Sequence, residues 1–150
     1  MKKQDYTTTI TAKITAEHAF KGIAEVSKWW TENLDGKSSN LGDLFTVHFN
    51  ESFVLFKVIE VDPGKKIVWL VMDCYLHWLK DKKEWKDTKI SFELSAMNDE
   101  TTIVFTHLGL TEAVECYNDC VKGWDQYIKG SLFTFLTDGK VAPQIKKNVI

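Results

Sequence analysis

The sequence predicts an α+β fold in which a curved antiparallel sheet of six strands wraps around one long C-terminal helix. Three observations support this: segments of strict apolar and polar alternation, short turns between most of the later strands, and a helical apolar stripe near the end. Sheet and helix each have one apolar face, so they are expected to bury these faces against each other. Where the two diverge, the gap predicts an apolar cavity.

The first strand and two short helices are read from the first 40 residues. The stretch "DYTTTITAKI" places Tyr6, Ile10 and Ile14 on one face of a half-buried strand. Thr15 suits an N-cap and Gly22 a C-terminal stop, which predicts a helix of about two turns between them. The stretch "IAEVSKWW" predicts a second short helix, which ends before the loop "DGKSSN".

Three of the five later strands have a readable inner face. The stretch "LFTVHF" places Phe45, Val47 and Phe49 together, and "TKISFEL" does the same for Ile90, Phe92 and Leu94. In "TTIVFTHLGL", Ile103 and Phe105 share a face with His107. The strands "FVLFKVIEV" and "IVWLVM" are apolar on both faces, so periodicity leaves their inward side undecided.

The C-terminal helix is predicted from about Glu115 to Thr137, with Gly139 as its stop. Gly123 and Gly130 are seven residues apart, which places them on one side of a regular helix. They favour either a close approach of helix to sheet or open space for a ligand. The apolar stripe consists of Tyr117, Cys120, Val121, Trp124, Tyr127, Ile128, Leu132 and Phe135.

Composition limits the classes of function. A chain of 150 residues that is 44% hydrophobic suits a single domain, residues 1–150. The net charge of -2 argues against nucleic-acid binding, and no apolar run reaches the roughly 20 residues that span a bilayer. Cys74, Cys116 and Cys120 cannot all pair within the chain, and the N-terminus has no signal-peptide pattern. These features predict a cytoplasmic location.

His107 is the residue with the clearest chemical potential, and three roles stay open for it. It is a structural histidine that binds a backbone carbonyl, a ligand contact in a pocket, or an acid-base catalyst. The inward sets read above contain no carboxylate to orient a catalytic imidazole. Glu60 and Asp73 would change this only if their undecided strands turn them inward.

The cysteines permit a metal site only in a weak form. Cys116 and Cys120 are four residues apart on a helix, and Cys74 with His77 gives a C-x-x-H spacing. The chain has no further close pair of ligands, such as a C-x-x-C motif, so the cysteines are expected to be small buried hydrophobes. Neither a metal nor a cofactor is predicted.

The order of elements resembles the START-like, or SRPBCC, superfamily, whose fold is called helix-grip or Bet v 1-like. More narrowly, it resembles the branch of the activator of heat-shock-protein-ninety ATPase homologues, often labelled polyketide-cyclase-like. The motifs that carry the resemblance are "KWW" at 28–30, "VIEVDPGKKIVW" at 58–69, "ISFEL" at 90–94, "TTIVFTHLGL" at 101–110 and "GWDQYIKGSLFTFL" at 123–136. The branch mixes co-chaperone domains, ligand carriers and uncharacterised proteins.

The sequence departs from that family between the strands at 67–72 and 88–94. The stretch "DCYLHWLKDKKEWKD" is longer and more aromatic than a short hairpin. Its residues Tyr75, Trp78 and Trp85 would cover the cavity mouth, contact a partner, or form cross-strand pairs in an extended hairpin.

The resemblance implies non-enzymatic binding of a small hydrophobic molecule between sheet and C-terminal helix. The alternative is a protein-interaction module of the co-chaperone kind, with a chaperone or another protein as partner of Tyr75, Trp78 and Trp85. A cyclase or hydrolase is the third reading, and the lack of an inward acid argues against it. The expected lining consists of Trp30, Phe45, Trp69, Phe92, Phe105, His107, Trp124 and Tyr127.

Overall fold

The computed structural model describes residues 4–49 and 51–139. Two helices follow the first strand, and a run of strands leads to a long C-terminal helix. The elements are β1 (Tyr6–Ala12), α1 (Ala16–Ala24), α2 (Val26–Trp29), β2 (Leu34–Gly36), β3 (Leu44–Phe49), β4 (Ser52–Asp62), β5 (Lys66–Tyr75), β6 (Lys89–Met97), β7 (Glu100–Leu108), α3 (Tyr117–Asp125), a π-helical segment (Gln126–Leu132) and α4 (Phe133–Asp138).

Within the described residues the sheet has seven antiparallel strands in the order β1-β7-β6-β5-β4-β3-β2, so the predicted count of six is wrong. The extra strand is β2, which pairs with β3 so that Leu34 lies opposite Val47. It has only three residues, too few to show an alternating pattern, and the sequence there reads as a loop. The Phe49 side chain, expected to face inward, lies outside the described part of the chain.

The strands that periodicity left undecided have a clear inner face in the structure. In β4 the residues Val54, Phe56 and Val58 are buried. In β5 the buried set includes Trp69 and Val71. The β4–β5 register shifts twice, between Leu55 and Phe56 and between Val58 and Glu60. In β4 every second residue is buried from Ser52 to Val58, and the inner face was undecided because Phe53 and Leu55 between them are also apolar.

Helix α1 begins as predicted and ends later. The Thr15 hydroxyl accepts a hydrogen bond from the His18 amide at 3.0 Å, which is an ordinary N-cap. The helix continues past Gly22 to Ala24, so Gly22 is not its stop. Instead Gly22 is buried where α1 meets α4, and a β-carbon there would collide with the Leu136 side chain. A glycine at this position allows the two helices to approach closely.

The C-terminal helix begins at Tyr117, two residues later than expected, and contains a π-helical segment in its middle. A π segment has a wider turn than an α-helix, so residues beyond it rotate relative to a regular wheel. Leu136 is consequently buried, whereas Phe135, which the regular wheel placed on the apolar stripe, is only partly buried. The helix ends at Asp138. Gly139 is the expected cap, with a φ of 72° and an N–H that donates a hydrogen bond to the Phe135 carbonyl.

The same rotation separates the two glycines of this helix. Gly123 is buried, whereas Gly130 lies in the π segment and is exposed. A β-carbon added at Gly130 would meet no described atom within 4 Å, apart from its own helix backbone and chain neighbours. Gly130 therefore neither allows close packing nor faces the interior.

We predict opposite effects for substitutions at two glycines. Gly130→Ala should raise the free energy of unfolding by about 0.5–1 kcal/mol, because alanine favours the helix and meets open space. Gly22→Val should lower it by about 1–3 kcal/mol, because the added atoms collide with Leu136. Urea unfolding followed by circular dichroism measures both. Equal destabilisation by the two variants would contradict this packing.

Candidate functional site

The eight residues predicted to line a cavity come together where the sheet, the C-terminal helix and the end of α2 meet, and all are buried. On the sheet side, four rings make a continuous row across the strands. Ring centroids are 5.0 Å apart for Phe45 and Trp69, 5.1 Å for Trp69 and Phe92, and 5.2 Å for Phe92 and Phe105. These contacts follow from alternation, which turns the aromatic residues of neighbouring strands to the same face.

The helix side closes over this row through Trp124. Its ring lies 4.7 Å from Phe105 and 5.0 Å from Trp30, the residue that follows α2. Trp30 in turn lies 5.7 Å from Tyr127 in the π segment. Burial raises the pKa of the Tyr127 hydroxyl well above its usual range, so this group stays protonated. The eight residues form one connected aromatic cluster, which is called the aromatic cluster below.

His107 joins this cluster to the rest of the molecule through a chain of hydrogen bonds. The Trp124 indole N–H donates to His107 Nδ1 at 3.1 Å. The Thr88 hydroxyl donates to the Trp85 carbonyl at 2.6 Å, so its oxygen accepts from His107 Nε2–H at 2.9 Å. Both ring nitrogens are therefore used, and His107 is the neutral Nε2–H tautomer.

The environment of His107 keeps it neutral. Burial lowers its pKa from 6.5 to about 3. Glu60 is exposed and pairs with Lys66, and Asp73 pairs with Lys83 at 2.8 Å, so neither acid on the undecided strands serves His107. The expected backbone carbonyl is reached only indirectly, through Thr88. The geometry is that of a structural histidine.

The connection between β5 and β6, residues 76–88, is not an extended hairpin. It forms turns that contact the residues before α3, and is called the cover segment below. Its residue Trp85 is buried, stacks on Trp124 at 5.7 Å and meets the His107 ring edge-on at 4.7 Å. Trp85 is 1% exposed in this conformation, and the partner role predicted for it stays a prediction. That this segment covers a cavity mouth stays a prediction.

Two carboxylates fasten the cover segment to the start of α3. Glu115 accepts hydrogen bonds from the amides of Lys80 and Asp81, at 3.1 and 3.3 Å. Glu84 on the cover segment accepts from the amides of Glu115 and Cys116, at 2.7 and 3.0 Å. The amides of Lys80 and Asp81 lower the pKa of the Glu115 carboxyl. The sequence gives no signal for these hydrogen bonds between carboxylates and backbone amides, because the two glutamates are distant in the chain.

The other two aromatic residues of this region differ in exposure. Tyr75 is partly buried; its ring stacks on Phe53 at 6.4 Å, and the Lys82 ammonium lies 5.8 Å from the ring centre. Trp78 is 40% exposed. A partner role for these two residues stays a prediction.

Two of the three cysteines, Cys74 and Cys116, make hydrogen bonds with the cover segment. Cys116 and Cys120 are joined by a disulfide, so the expectation that they are merely small hydrophobes is wrong. Cys116 Sγ also accepts a hydrogen bond from the Trp85 indole at 3.4 Å. Cys74 is a buried thiol outside this disulfide, and burial raises its pKa. Within the described residues, no group of three or more His, Cys, Asp or Glu side chains is placed to hold a metal ion.

One buried donor of the aromatic cluster, the indole N–H of Trp69, has no acceptor among the described residues. Trp69 Nε1 is buried in the middle of the sheet row. Its ring contacts Phe45, Phe56 and Phe92, whose side chains carry no oxygen or nitrogen. The sequence marked Trp69 as a lining residue but gave no sign that its N–H would lack an acceptor.

A groove that the sequence did not predict lies beside α1. It has a volume of about 720 Å³ and runs between α1 and the β4–β5 turn, with Phe20, Ala24 and Pro63 in its wall. Lys21 and Glu25 also line it, so it is partly charged. Its lining residues are different from those of the aromatic cluster.

A family model matches residues 18–136, which is most of the chain. Its description is activator of Hsp90 ATPase homolog 1-like protein. The chain belongs to this family. The matched region runs from α1 to α4 and so contains the whole aromatic cluster and the cover segment. No curated protein sequence matches the chain significantly.

Solved structures share the fold of this member of the family. The Aha1 dimer from Colwellia psychrerythraea has a TM-score of 0.70 at 23% identity, over 94% of this chain and 98% of that one. CalU16 from Micromonospora echinospora has 0.65 at 15% identity, over 93% and 77%. DynU16, a putative protein of the dynemicin biosynthetic locus, has 0.69 at 14% identity, over 90% of this chain and 48% of that one. These identities establish the fold alone.

No helix among residues 4–49 and 51–139 combines the length and apolar character needed to cross a bilayer.

We predict a loss of stability at mildly acidic pH that depends on His107. In the unfolded chain the His107 imidazole takes up a proton near pH 6.5, whereas in the folded chain it does so only near pH 3. The free energy of unfolding is therefore highest above pH 6.5 and falls as the pH falls towards 3. Between pH 6.5 and about pH 5 the free energy of unfolding should decrease by about 2 kcal/mol for this reason. His107→Asn should not show this decrease. Urea unfolding at both pH values tests it, and an equal loss in both proteins would contradict a buried neutral imidazole.

Proposed function

We propose that this protein binds a small, mostly apolar molecule with one hydrogen-bond acceptor between the sheet and the C-terminal helix. The observation that carries the proposal is the buried Trp69 N–H, which has no acceptor among the described residues and lies in a wall made otherwise of aromatic rings. A ligand carbonyl, ether or hydroxyl oxygen would accept this hydrogen bond while its apolar part contacts the rings.

An unpaired buried donor has a cost that calls for an explanation. Leaving such a group without a partner costs about 1–3 kcal/mol, and native structures contain few of them. Three other core tryptophans donate their N–H: Trp29 to the Ile23 carbonyl, Trp85 to Cys116 Sγ, and Trp124 to His107. Trp69 differs from them at the position where the sheet's inner face is most aromatic. A ligand that supplies the missing acceptor would remove this cost.

The chemistry of the site favours binding over catalysis. His107 has both nitrogens occupied and stays neutral at physiological pH, since burial lowers its pKa to about 3. A general acid or base needs a pKa near the working pH and a free nitrogen. Tyr127 is protonated because burial raises its pKa. We therefore place the protein among carriers or sensors of its ligand, not among cyclases or hydrolases.

The cover segment is the proposed route of entry. It is held to α3 by the carboxylates of Glu84 and Glu115, which bind backbone amides, and by the inserted ring of Trp85. Segments held by side chains open at a lower cost than strands held by a continuous ladder. Movement of the cover segment would withdraw Trp85 and leave room beside Trp124.

The Trp69 hydrogen bond is tested with two probes of similar shape, 2-acetylnaphthalene and 2-isopropylnaphthalene. Trp69→Phe should weaken binding of the ketone about tenfold, which corresponds to one lost hydrogen bond of about 1.4 kcal/mol, and binding of the hydrocarbon far less. Isothermal titration calorimetry measures both. Trp78→Phe, at an exposed tryptophan, is the matched control and should change neither affinity.

Two outcomes would overturn the ligand proposal. One is that the wild-type protein binds neither probe and carries no retained small molecule in native mass spectrometry. The other is that Trp69→Phe weakens both probes equally, which would mean that the ring matters and the N–H does not.

A second candidate function is interaction with a chaperone, favoured by the exposed Trp78. Large exposed aromatic side chains are common anchors of protein interfaces. The family description names an activator of the Hsp90 ATPase, so Hsp90 is the partner to test. In this case the main function would be the interaction with the chaperone, and ligand binding would be subordinate to it.

If this chain acts on Hsp90, it should stimulate that chaperone's ATPase, and Trp78→Ala should weaken the stimulation and the binding about tenfold or more. Met97→Ala is the control, since Met97 is also exposed but lies in the β6–β7 hairpin. Unchanged stimulation with Trp78→Ala would exclude Trp78 as the anchor.

A further inference from the structure

The outer face of the sheet carries a regular row of side chains across five strands. Register pairs Leu44 with Lys57, Lys57 with Leu70, Leu70 with Lys89, and Lys89 with Leu108. Their chain neighbours, such as Phe45, Trp69 and His107, face the interior, so these five residues face outward. Three leucines therefore alternate with two lysines in one line, called the outer row below.

The outer row is exposed, and its two lysines have no carboxylate partner among the described residues. Leu44 is 50% and Leu108 39% exposed, and Leu70 between them is partly exposed. Lys57 and Lys89 are exposed and take part in none of the ion pairs found in the described part of the chain. Lys66, by contrast, lies between Glu60 and Glu93, at 3.7 Å from each. Two such cations between apolar side chains are complementary to an acidic, apolar partner.

The spacing of the row selects the shape of the partner. Neighbouring strands lie about 4.8 Å apart, so like residues in the row recur about every 10 Å. Seven residues of an α-helix advance about 10.5 Å and return to nearly the same face. Three residues of a strand advance about 10 Å but end on the opposite face. A helix that crosses the strands therefore matches the row, and an extended peptide does not.

We propose that the outer row is a docking surface for an amphipathic helix of a partner protein, with apolar residues every seventh position and acidic residues midway between them. The apolar side chains would lie on Leu44, Leu70 and Leu108, and the acidic side chains would pair with Lys57 and Lys89. This inference does not depend on the ligand site, which lies on the other face of the sheet. A protein partner is favoured over an anionic membrane, because only two cations are aligned in the row and the net charge of the chain is -2.

The test uses a labelled helical peptide of about three heptads, with leucine at the first and glutamate at the fourth position of each. Fluorescence anisotropy with the full-length protein measures its affinity. A second peptide, with lysine in place of glutamate, tests the charge requirement. The wild-type protein should bind the acidic peptide at least tenfold more tightly than the basic peptide.

Variants place the interaction on the row. Lys57→Glu with Lys89→Glu should reverse the preference between the two peptides, and Leu44→Ser with Leu108→Ser should weaken binding of either. The matched control is Lys13→Glu with Lys122→Glu, which makes the same change of charge at lysines away from the row and should keep the wild-type preference. Circular dichroism confirms that each variant is folded.

Three results would overturn the proposal. One is equal affinity of the wild-type protein for the acidic and basic peptides. Another is that the control variant loses as much affinity for the acidic peptide as the variant with Lys57→Glu and Lys89→Glu. The third is that the row is needed for binding to phosphatidylserine vesicles and not for binding to the acidic peptide, which would assign the surface to a membrane.

Discussion

The seating of Trp124 on the sheet is the contact on which the rest of the structure depends. Its ring meets Phe105 from the sheet, Trp30 from the end of α2 and Trp85 from the cover segment, while its N–H binds His107. Three parts of the chain thus converge on one side chain of the C-terminal helix. Loss of a buried tryptophan typically costs about 3–5 kcal/mol, and here it would also remove the contact that fixes the other parts relative to one another.

The strictly periodic parts of the fold could be predicted from the sequence. Alternation in β1, β6 and β7 and the stripe of α3 identify the buried faces, and these faces carry four residues of the aromatic cluster: Phe92, Phe105, His107 and Trp124. Whether that cluster surrounds a ligand stays a prediction. What periodicity could not show are departures from it: the three-residue β2, the two irregularities of β4 against β5, and the π segment that replaces Phe135 by Leu136 in the core.

The cover segment is the least predictable part of the site, for a different reason. Its lysines and acidic residues are typical of a solvated stretch, yet Trp85 inserts into the core and Glu84 binds the amides before α3. Such contacts join residues about 30 positions apart and leave no local pattern in the sequence. Likewise, the hydrogen bonds of His107 could not be predicted, because their partners Thr88 and Trp124 lie on two other parts of the chain.

The wider turn in the middle of the C-terminal helix divides it into two rods with separate supports. The first, α3, is oriented by the sheet and the cover segment, whereas the second, α4, is oriented by α1 through Gly22 and Leu136. A uniform α-helix would transmit any rotation of one end to the other. Because Leu136 packs on Gly22 of α1 while Trp124 packs on Phe105 of the sheet, a substitution at the α1–α4 junction is expected to displace Leu136 more than Trp124.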